Sequence, residues 1–179
     1  MSEDFLNRHT LRLRGFDYST QALYFVTICT QNRENLLGEI KNGKMVLNDV
    51  GKLTNICWRE IPIKFIPVEL DKYQIMPNHM HMIINVVGAR SSRPNDKKLP
   101  TLGQIIAFFK YSSTKLINNL PGGKTPPLHN QFRNLKFWQR NYYDHIIRNE
   151  TEYNKICYYI INNPKTWDQD KNNLINNAN

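Results

Sequence analysis

Two histidines one residue apart, His79 and His81, and a tyrosine with an asparagine four residues on, Tyr159 and Asn163, are the side chains of this 179-residue chain whose types and spacing point to chemistry. In an extended strand successive side chains point to opposite sides, so His79, His81, Ile83 and Asn85 share one face and Met80, Met82, Ile84 and Val86 the other. Two neutral imidazoles so placed can grip one divalent ion. Taken alone such a pair is more often a hydrogen-bonded structural pair than a metal site, because two ligands do not close one. On a helix, Tyr159 and Asn163 lie about 40° apart, on the flank of a core stripe made by Tyr153, Ile156, Cys157 and Ile160. There a phenol can face a groove and Asn163 can offer a carbonyl oxygen to the same cation. Pro164 disfavours helical geometry at the residue before it and places the Asn163 side chain in the final turn. Tyr158 and Asn162 show the same spacing, so helix geometry by itself does not choose between the two tyrosines.

The elements that must position these groups follow from pattern. The aromatic and β-branched run from Gln21 to Thr30 reads as a buried strand, and Asn42-Gly43 turns a hairpin between Leu37–Ile40 and Lys44–Leu47. A helix is expected from Asn48 or Asp49 to about Glu60, with Val50, Leu53, Ile56 and Cys57 inward and Pro62 and Pro67 fencing its exit. Val68–Met76 and His79–Val87 form a strand pair, antiparallel because the Pro77-Asn78 join is short. Thr101 and Gln104 make a capping box for a helix whose stripe is Leu102, Ile105, Ile106, Phe109, Ser112, Ser113 and Leu116, stopped by Pro121-Gly122-Gly123. Residues 137–140 and 142–147 read as irregular or a short strand. Asn149, with Glu152 three residues on, caps a last helix that runs to Pro164. The order resembles an α+β, ferredoxin-like split β-α-β core, a mainly antiparallel sheet with helices on one face and an appended C-terminal helix carrying the tyrosine. The domain expectation is a basic arm over 1–17, one domain over 18–167 and a polar tail over 168–179.

Composition narrows the partners. A net charge of +9 favours an anionic partner, and the charge gathers on loops: Arg8, His9, Arg12 and Arg14 in the arm, Arg90, Arg93, Lys97 and Lys98 after the histidine strand, and Lys124, Arg133 and Lys136 further on. With Phe132, Phe137, Trp138, Tyr142 and Tyr143 nearby, this suits a groove that tracks a backbone and stacks unpaired bases. Arg140 and Arg148 are further candidates for phosphate contacts, and His145 reads as structural. Cys29, Cys57 and Cys157 fit neither a disulfide framework nor a Cys-x-x-Cys metal clip and read as core residues. No run of eighteen apolar residues and no apolar leader are present, so the expectation is no membrane association and a cytoplasmic protein, at the nucleoid when bound to DNA. Gly122-Gly123-Lys124-Thr125 is no phosphate loop, since Asn118 stands where its first glycine belongs and a helix precedes it.

His79-Met80-His81, the stretch Phe137 to Asn149 and Tyr159-Ile160-Ile161-Asn162-Asn163-Pro164 together resemble a REP-associated tyrosine transposase, over roughly Tyr18 to Trp167. The resemblance implies a single-strand DNA transposase with a His-hydrophobic-His motif and one catalytic tyrosine. It selects Tyr159 over Tyr158 by the order Tyr-Ile-x-x-Asn-Pro. It implies attack by Tyr159 on a phosphodiester, a 5′-phosphotyrosine and a released 3′ hydroxyl, with strands rejoined by the reverse step. One divalent cation, Mg2+ or Mn2+, would be held by His79, His81 and Asn163 and would polarise the phosphate. The implied partner is a single-stranded DNA hairpin of the repetitive palindromic kind, bound by a monomer or homodimer. Two alternatives stand beside it: a hairpin-binding protein without turnover, and a replication-initiator or relaxase-type nuclease, which usually carries further domains.

Overall fold

The structure, a computed structural model, describes residues 22–66, 68–87, 99–120 and 136–173. Arg12, Arg14, Arg90, Arg93, Lys97, Lys98 and Arg133, together with the arm over 1–17, Pro67 and the Gly-Gly-Lys-Thr stretch, lie outside the described residues. Strand β1 (Ala22–Cys29) leads through a short 3-10 turn, Gln31–Arg33, to the hairpin β2 (Gly38–Lys41) and β3 (Lys44–Leu47). Asn42 and Gly43 both take positive φ, 51° and 68°, as a type I′ turn demands. Helix α1 (Asp49–Arg59) starts where the Asn48 side chain accepts from Gly51 N–H, and a four-residue helix α2 (Ile61–Lys64) takes up the proline that was expected only to fence the exit. Pro62 sits in its first turn, where a missing N–H costs nothing.

Strands β4 (Val68–Ile75) and β5 (His79–Val86) pair antiparallel as expected. Helix α3 (Leu102–Asn118) opens on the complete Thr101–Gln104 capping box. The ambiguous stretch resolves into strand β6 (Tyr143–Ile147), antiparallel to β1. Helix α4 (Glu150–Asn162) begins at an Asn149 cap and runs into a 3-10 segment, Asn163–Gln169. The four-stranded order β4-β5-β1-β6, antiparallel throughout, is the split β-α-β arrangement with β2 and β3 as a separate two-stranded insertion.

Alternation along the strands decides which face each helix covers. Tyr24, Val26 and Ile28 of β1 and Met80, Met82, Ile84 and Val86 of β5 meet Cys57, Trp58, Leu102, Ile105 and Phe109 of α1 and α3 in the main core. The other face carries Phe25, Ile83 and Ile147, and against them α4 lays Cys157 and Ile160, with Tyr153 and Ile156 half-buried beside them. The helix expected as an appendage therefore closes the histidine face of the sheet. Two inward positions differ from the expected stripes. Ile56 and Leu116 are exposed, while Trp58 and Ile117 are buried, because the inward stripe drifts by i+4 steps, Thr54 to Trp58 and Ser113 to Ile117. Residues 170–173, expected within a polar tail beginning at 168, pack into the molecule: Asp170, Asn172 and Asn173 are all buried. Among the described residues no helix is long and apolar enough to cross a membrane.

Candidate active site

Strand β5 aims His79 and His81 at the α4 face, and both are fully buried. Their rings stand edge to face with centroids 4.4 Å apart, and the two Nε2 atoms approach to 2.9 Å. Each outer nitrogen is held. Asn78 donates its amide to the carbonyls of Arg33 and Asn172, at 2.9 and 2.7 Å, which leaves its Oδ1 to accept from His79 Nδ1 at 2.8 Å. His79 therefore carries its hydrogen on Nδ1 and turns a lone pair on Nε2 inward. His81 Nδ1 meets the Thr27 hydroxyl at 2.8 Å, across the β1–β5 pair that sets Thr27 opposite His81. Thr27 can donate or accept. In one arrangement His81 gives an Nε2 hydrogen to His79; in the other it gives its Nδ1 hydrogen to Thr27, and two lone pairs converge.

Helix α4 brings Tyr159 to this pair. Its hydroxyl lies 3.1 Å from His81 Nε2, its ring sits 5.0 Å from that imidazole, and Phe25 packs between strand and helix with its ring 6.3 Å from the Tyr159 ring. Tyr159 remains 38% exposed, so a substrate can reach the phenol from outside. Tyr158 is 72% exposed, and Asn162 donates to its backbone carbonyl, so this second tyrosine-asparagine pair faces solvent. Asn163 is buried and keeps right-handed helical geometry, φ −54° and ψ −40°, despite Pro164. The chain tightens there, Asn163 N–H bonding to Ile160 three residues back, so the proline's effect is a change of helix type rather than a break.

Sequence reasoning missed Asp170 and Asn78. Asp170 is brought back over His79 by the 3-10 segment, with Trp167 6.0 Å from the His79 ring. One Asp170 oxygen accepts from Asn163 Nδ2 at 2.6 Å and stands 4.0 Å from His79 Nε2; the other accepts from Asn172 N–H at 2.6 Å. The ligand atoms of His79, His81 and Asp170 all lie within 4.8 Å of one another. With its Nδ2 taken, Asn163 presents a buried Oδ1 that has no partner. Asn78 had looked like a turn residue only; an asparagine immediately before a ligand-type histidine was the available signal. Asp170 had none, lying beyond a proline in an unpatterned polar stretch.

These groups fit a divalent cation. Nitrogen ligands about 2.1 Å from an ion and at right angles to each other lie about 3 Å apart, close to the Nε2 separation seen here. Burial pulls the His79 pKa down to about 4, against the opposing pull of the Asp170 charge, and burial with the neighbouring imidazole pulls His81 down as well. Both rings are thus neutral at ordinary pH and free to act as ligands. The unpartnered Asn163 oxygen and the Asp170 carboxylate supply the oxygen donors that hard cations prefer. Burial, aided by the Asp170 charge, pushes the Tyr159 phenol up to about 12, and its contact with Asn163 pulls the other way.

The remaining sequence candidates lie apart. His145 bonds Glu152 at 2.7 Å, which also accepts from Arg148 N–H, so the Asn149–Glu152 capping pattern closes one residue earlier than a standard box. Arg140 and Arg148 are exposed. Cys57 and Cys157 are buried and Cys29 half-buried, all as free thiols.

No protein-family profile matches the chain. A Haemophilus influenzae protein described as uncharacterized is 37% identical over 177 residues, covering 92% of each chain. A REP-associated tyrosine transposase, solved bound to a REP hairpin, superposes with a TM-score of 0.58 at 17% identity, covering 89% of this chain and 77% of that one. A candidate transposase of Deinococcus radiodurans superposes at 0.47 with 16% identity, over 84% of this chain and 95% of that one. The chain belongs to the same family as the Haemophilus influenzae protein, and its α+β fold is that of a REP-associated tyrosine transposase.

Proposed function

We propose that this protein is a tyrosine transposase that cuts and rejoins single-stranded DNA at hairpin ends. The Tyr159 oxygen attacks a backbone phosphorus in line with the departing 3′ oxygen. The P–O3′ bond breaks, a P–O bond to tyrosine forms, and the 3′ oxygen leaves as a hydroxyl with a proton taken from solvent. The proton of the phenol leaves through the exposed edge of the site. Attack by another 3′ hydroxyl on the phosphotyrosine reverses the step and joins the strands, with no nucleotide hydrolysis. His79 and His81 would hold the cation through Nε2, Asn163 would offer Oδ1, and Asp170 would either ligate directly or orient the Asn163 amide. When bound, a divalent ion, Mg2+ or Mn2+, supplies stabilisation of charge on the phosphate and on the attacking phenolate. Asn78 turns the His79 Nε2 lone pair inward, and when Thr27 accepts from His81 Nδ1 the two Nε2 lone pairs point together.

The observation that carries this reading is the 3.1 Å approach of the Tyr159 hydroxyl to His81 Nε2, which is itself 2.9 Å from His79 Nε2. A phenol pushed up to about 12 is a poor nucleophile at neutral pH unless its charge is stabilised, and two converging imidazoles are a place to put a cation. Purified protein is incubated with a labelled single-stranded hairpin and Mn2+ and resolved under denaturing conditions. A covalent protein–DNA adduct is expected, lost in EDTA and in the His79→Ala/His81→Ala double variant. An adduct that persists in the double variant refutes the assignment of the metal site.

A further inference from the structure

Away from the histidines, one surface of the molecule is built like a binding site that the reaction does not use. Helix α3 and residues 136–140 face each other across a groove of about 540 Å³. One wall is the solvent side of α3, where Tyr111, Thr114 and Lys115 follow one another at i, i+3 and i+4. The other wall carries Lys136 and Arg140. Tyr111 is 67% exposed, a large aromatic outside either core. Among the described residues no carboxylate pairs with Lys115, Lys136 or Arg140, and none lines the groove. A cleft lined by three cations, with no carboxylate among its described residues and with an aromatic face, suits an anionic, base-bearing polymer.

The walls are fixed before any ligand arrives. Lys110 donates to the carbonyls of Gln139, Arg140 and Asn141 at 2.8, 3.2 and 3.2 Å, pinning that segment to α3. Trp138, buried behind it, donates its indole N–H to Ser113 of α3 at 2.9 Å. The groove opens on the α3 face of the sheet, opposite the face that carries the imidazoles, and its second wall starts at their end of the sheet. Gln139 N–H bonds to Cys29, and Cys29 is paired across the sheet with His79, so the segment begins at the same end of the sheet as the imidazoles and leads off on the α3 side.

We propose that this groove binds the unpaired strand that flanks the cleaved phosphate, with Tyr111 stacking on a base and Lys115, Lys136 and Arg140 contacting successive phosphates. The inference rests on the proposed DNA reaction for the identity of the polymer, and adds where on the molecule that polymer runs. Single-stranded rather than duplex DNA is specified because Tyr111 is exposed for stacking, which paired bases do not permit from the side.

The test uses the full-length chain and a fluorescein-labelled single strand of mixed sequence carrying one 2-aminopurine, read by anisotropy and by 2-aminopurine fluorescence across a salt series. The Lys115→Ala/Lys136→Ala/Arg140→Ala variant should bind roughly tenfold or more weakly, with the slope of log affinity against log salt reduced by about 2, since each single-strand phosphate contact contributes about 0.7. Tyr111→Ala should weaken binding roughly tenfold with the salt slope unchanged and with the 2-aminopurine signal altered. Matching thermal midpoints verify folding, and Lys115→Glu alone, on an exposed helix face, should weaken binding in the same direction if the triple variant fails to fold. Unchanged affinity in Lys115→Glu and Tyr111→Ala overturns the proposal, as does equal binding of a poly-glutamate chain that responds to Tyr111→Ala. Covalent adduct formation is scored separately on the same strand: adduct without groove-dependent binding sinks the groove alone, and groove-dependent binding without adduct sinks the enzyme alone.

Discussion

Asn163 donates its amide to Asp170 at 2.6 Å and is left with a buried carbonyl oxygen to which no group among the described residues donates in hydrogen-bond geometry. An orphaned buried acceptor costs about 1–3 kcal/mol, so its retention beside two converging imidazole nitrogens is explained best by a ligand that it meets. Asp170 sets this up in two ways: it fixes which way the amide faces, and it brings a negative charge within 4.0 Å of His79.

Asp170→Asn removes both effects while keeping the size of the side chain. Mn2+ affinity, measured calorimetrically, should fall about 10–100-fold. Asn163→Ala should fall comparably, and the double variant should fall by less than the sum, because the two residues act as one unit. Additive losses would separate them.

Thr27 supports His81 from the neighbouring strand. Thr27→Val removes the hydroxyl and should weaken Mn2+ binding about tenfold, whereas Thr27→Ser should retain it. Thermal stability should change by only about 1 kcal/mol, the ordinary worth of one hydrogen bond. A Val variant that binds metal as the parent does would remove Thr27 from the site.

Gly51 lies within α1, where alanine is normally preferred by about 1 kcal/mol. Here a Cβ would fall on the Leu37 carbonyl oxygen, backbone that cannot swing aside. Gly51→Ala should therefore destabilise, by about 2 kcal/mol or more, as read from the urea midpoint. A stabilised variant would mean that the packing of α1 on the segment before β2 is looser than the structure has it.

Glu152 gives the pH dependence. Its hydrogen bond from Arg148 N–H, and then the His145 bond, hold its carboxyl below the usual value of 4.5. Below that value the unfolded chain binds a proton the folded chain does not, so this contribution is full above about pH 4.5 and is lost as pH falls through the lower folded value. Urea midpoints from about pH 6 down to 3 should fall less steeply in Glu152→Gln than in the parent. Equal slopes would show the carboxylate to be inert.

Much of this architecture was legible because single residues carried local physics. The alternation His79 to Val86 sorted the methionines into the main core and the histidines toward α4, and Asn48, Thr101 and Asn149 each cap the helix they were expected to start. What stayed hidden depends on contacts distant in sequence. Strand β6 is short and half-polar, and becomes a strand because β1 offers it an open edge. Asp170 reaches the histidines only because the 3-10 segment folds back, held by Asn78 to Asn172 and by Arg33 to the Lys171 carbonyl. Neither the fold-back nor its partners leaves a periodic trace. Of the basic residues expected to touch DNA, Arg140 and Arg148 are described and exposed.

Tyr158 and Tyr159 are adjacent in sequence yet face different surroundings, one 72% exposed and the other in contact with His81. The most direct measurement is therefore to digest the covalent protein–DNA adduct and locate the phosphate by fragmentation mass spectrometry. The expected result is phosphate on Tyr159 alone, with Tyr159→Phe giving no adduct and Tyr158→Phe giving the parent's yield. Phosphate on Tyr158, or an undiminished adduct in Tyr159→Phe, would contradict it.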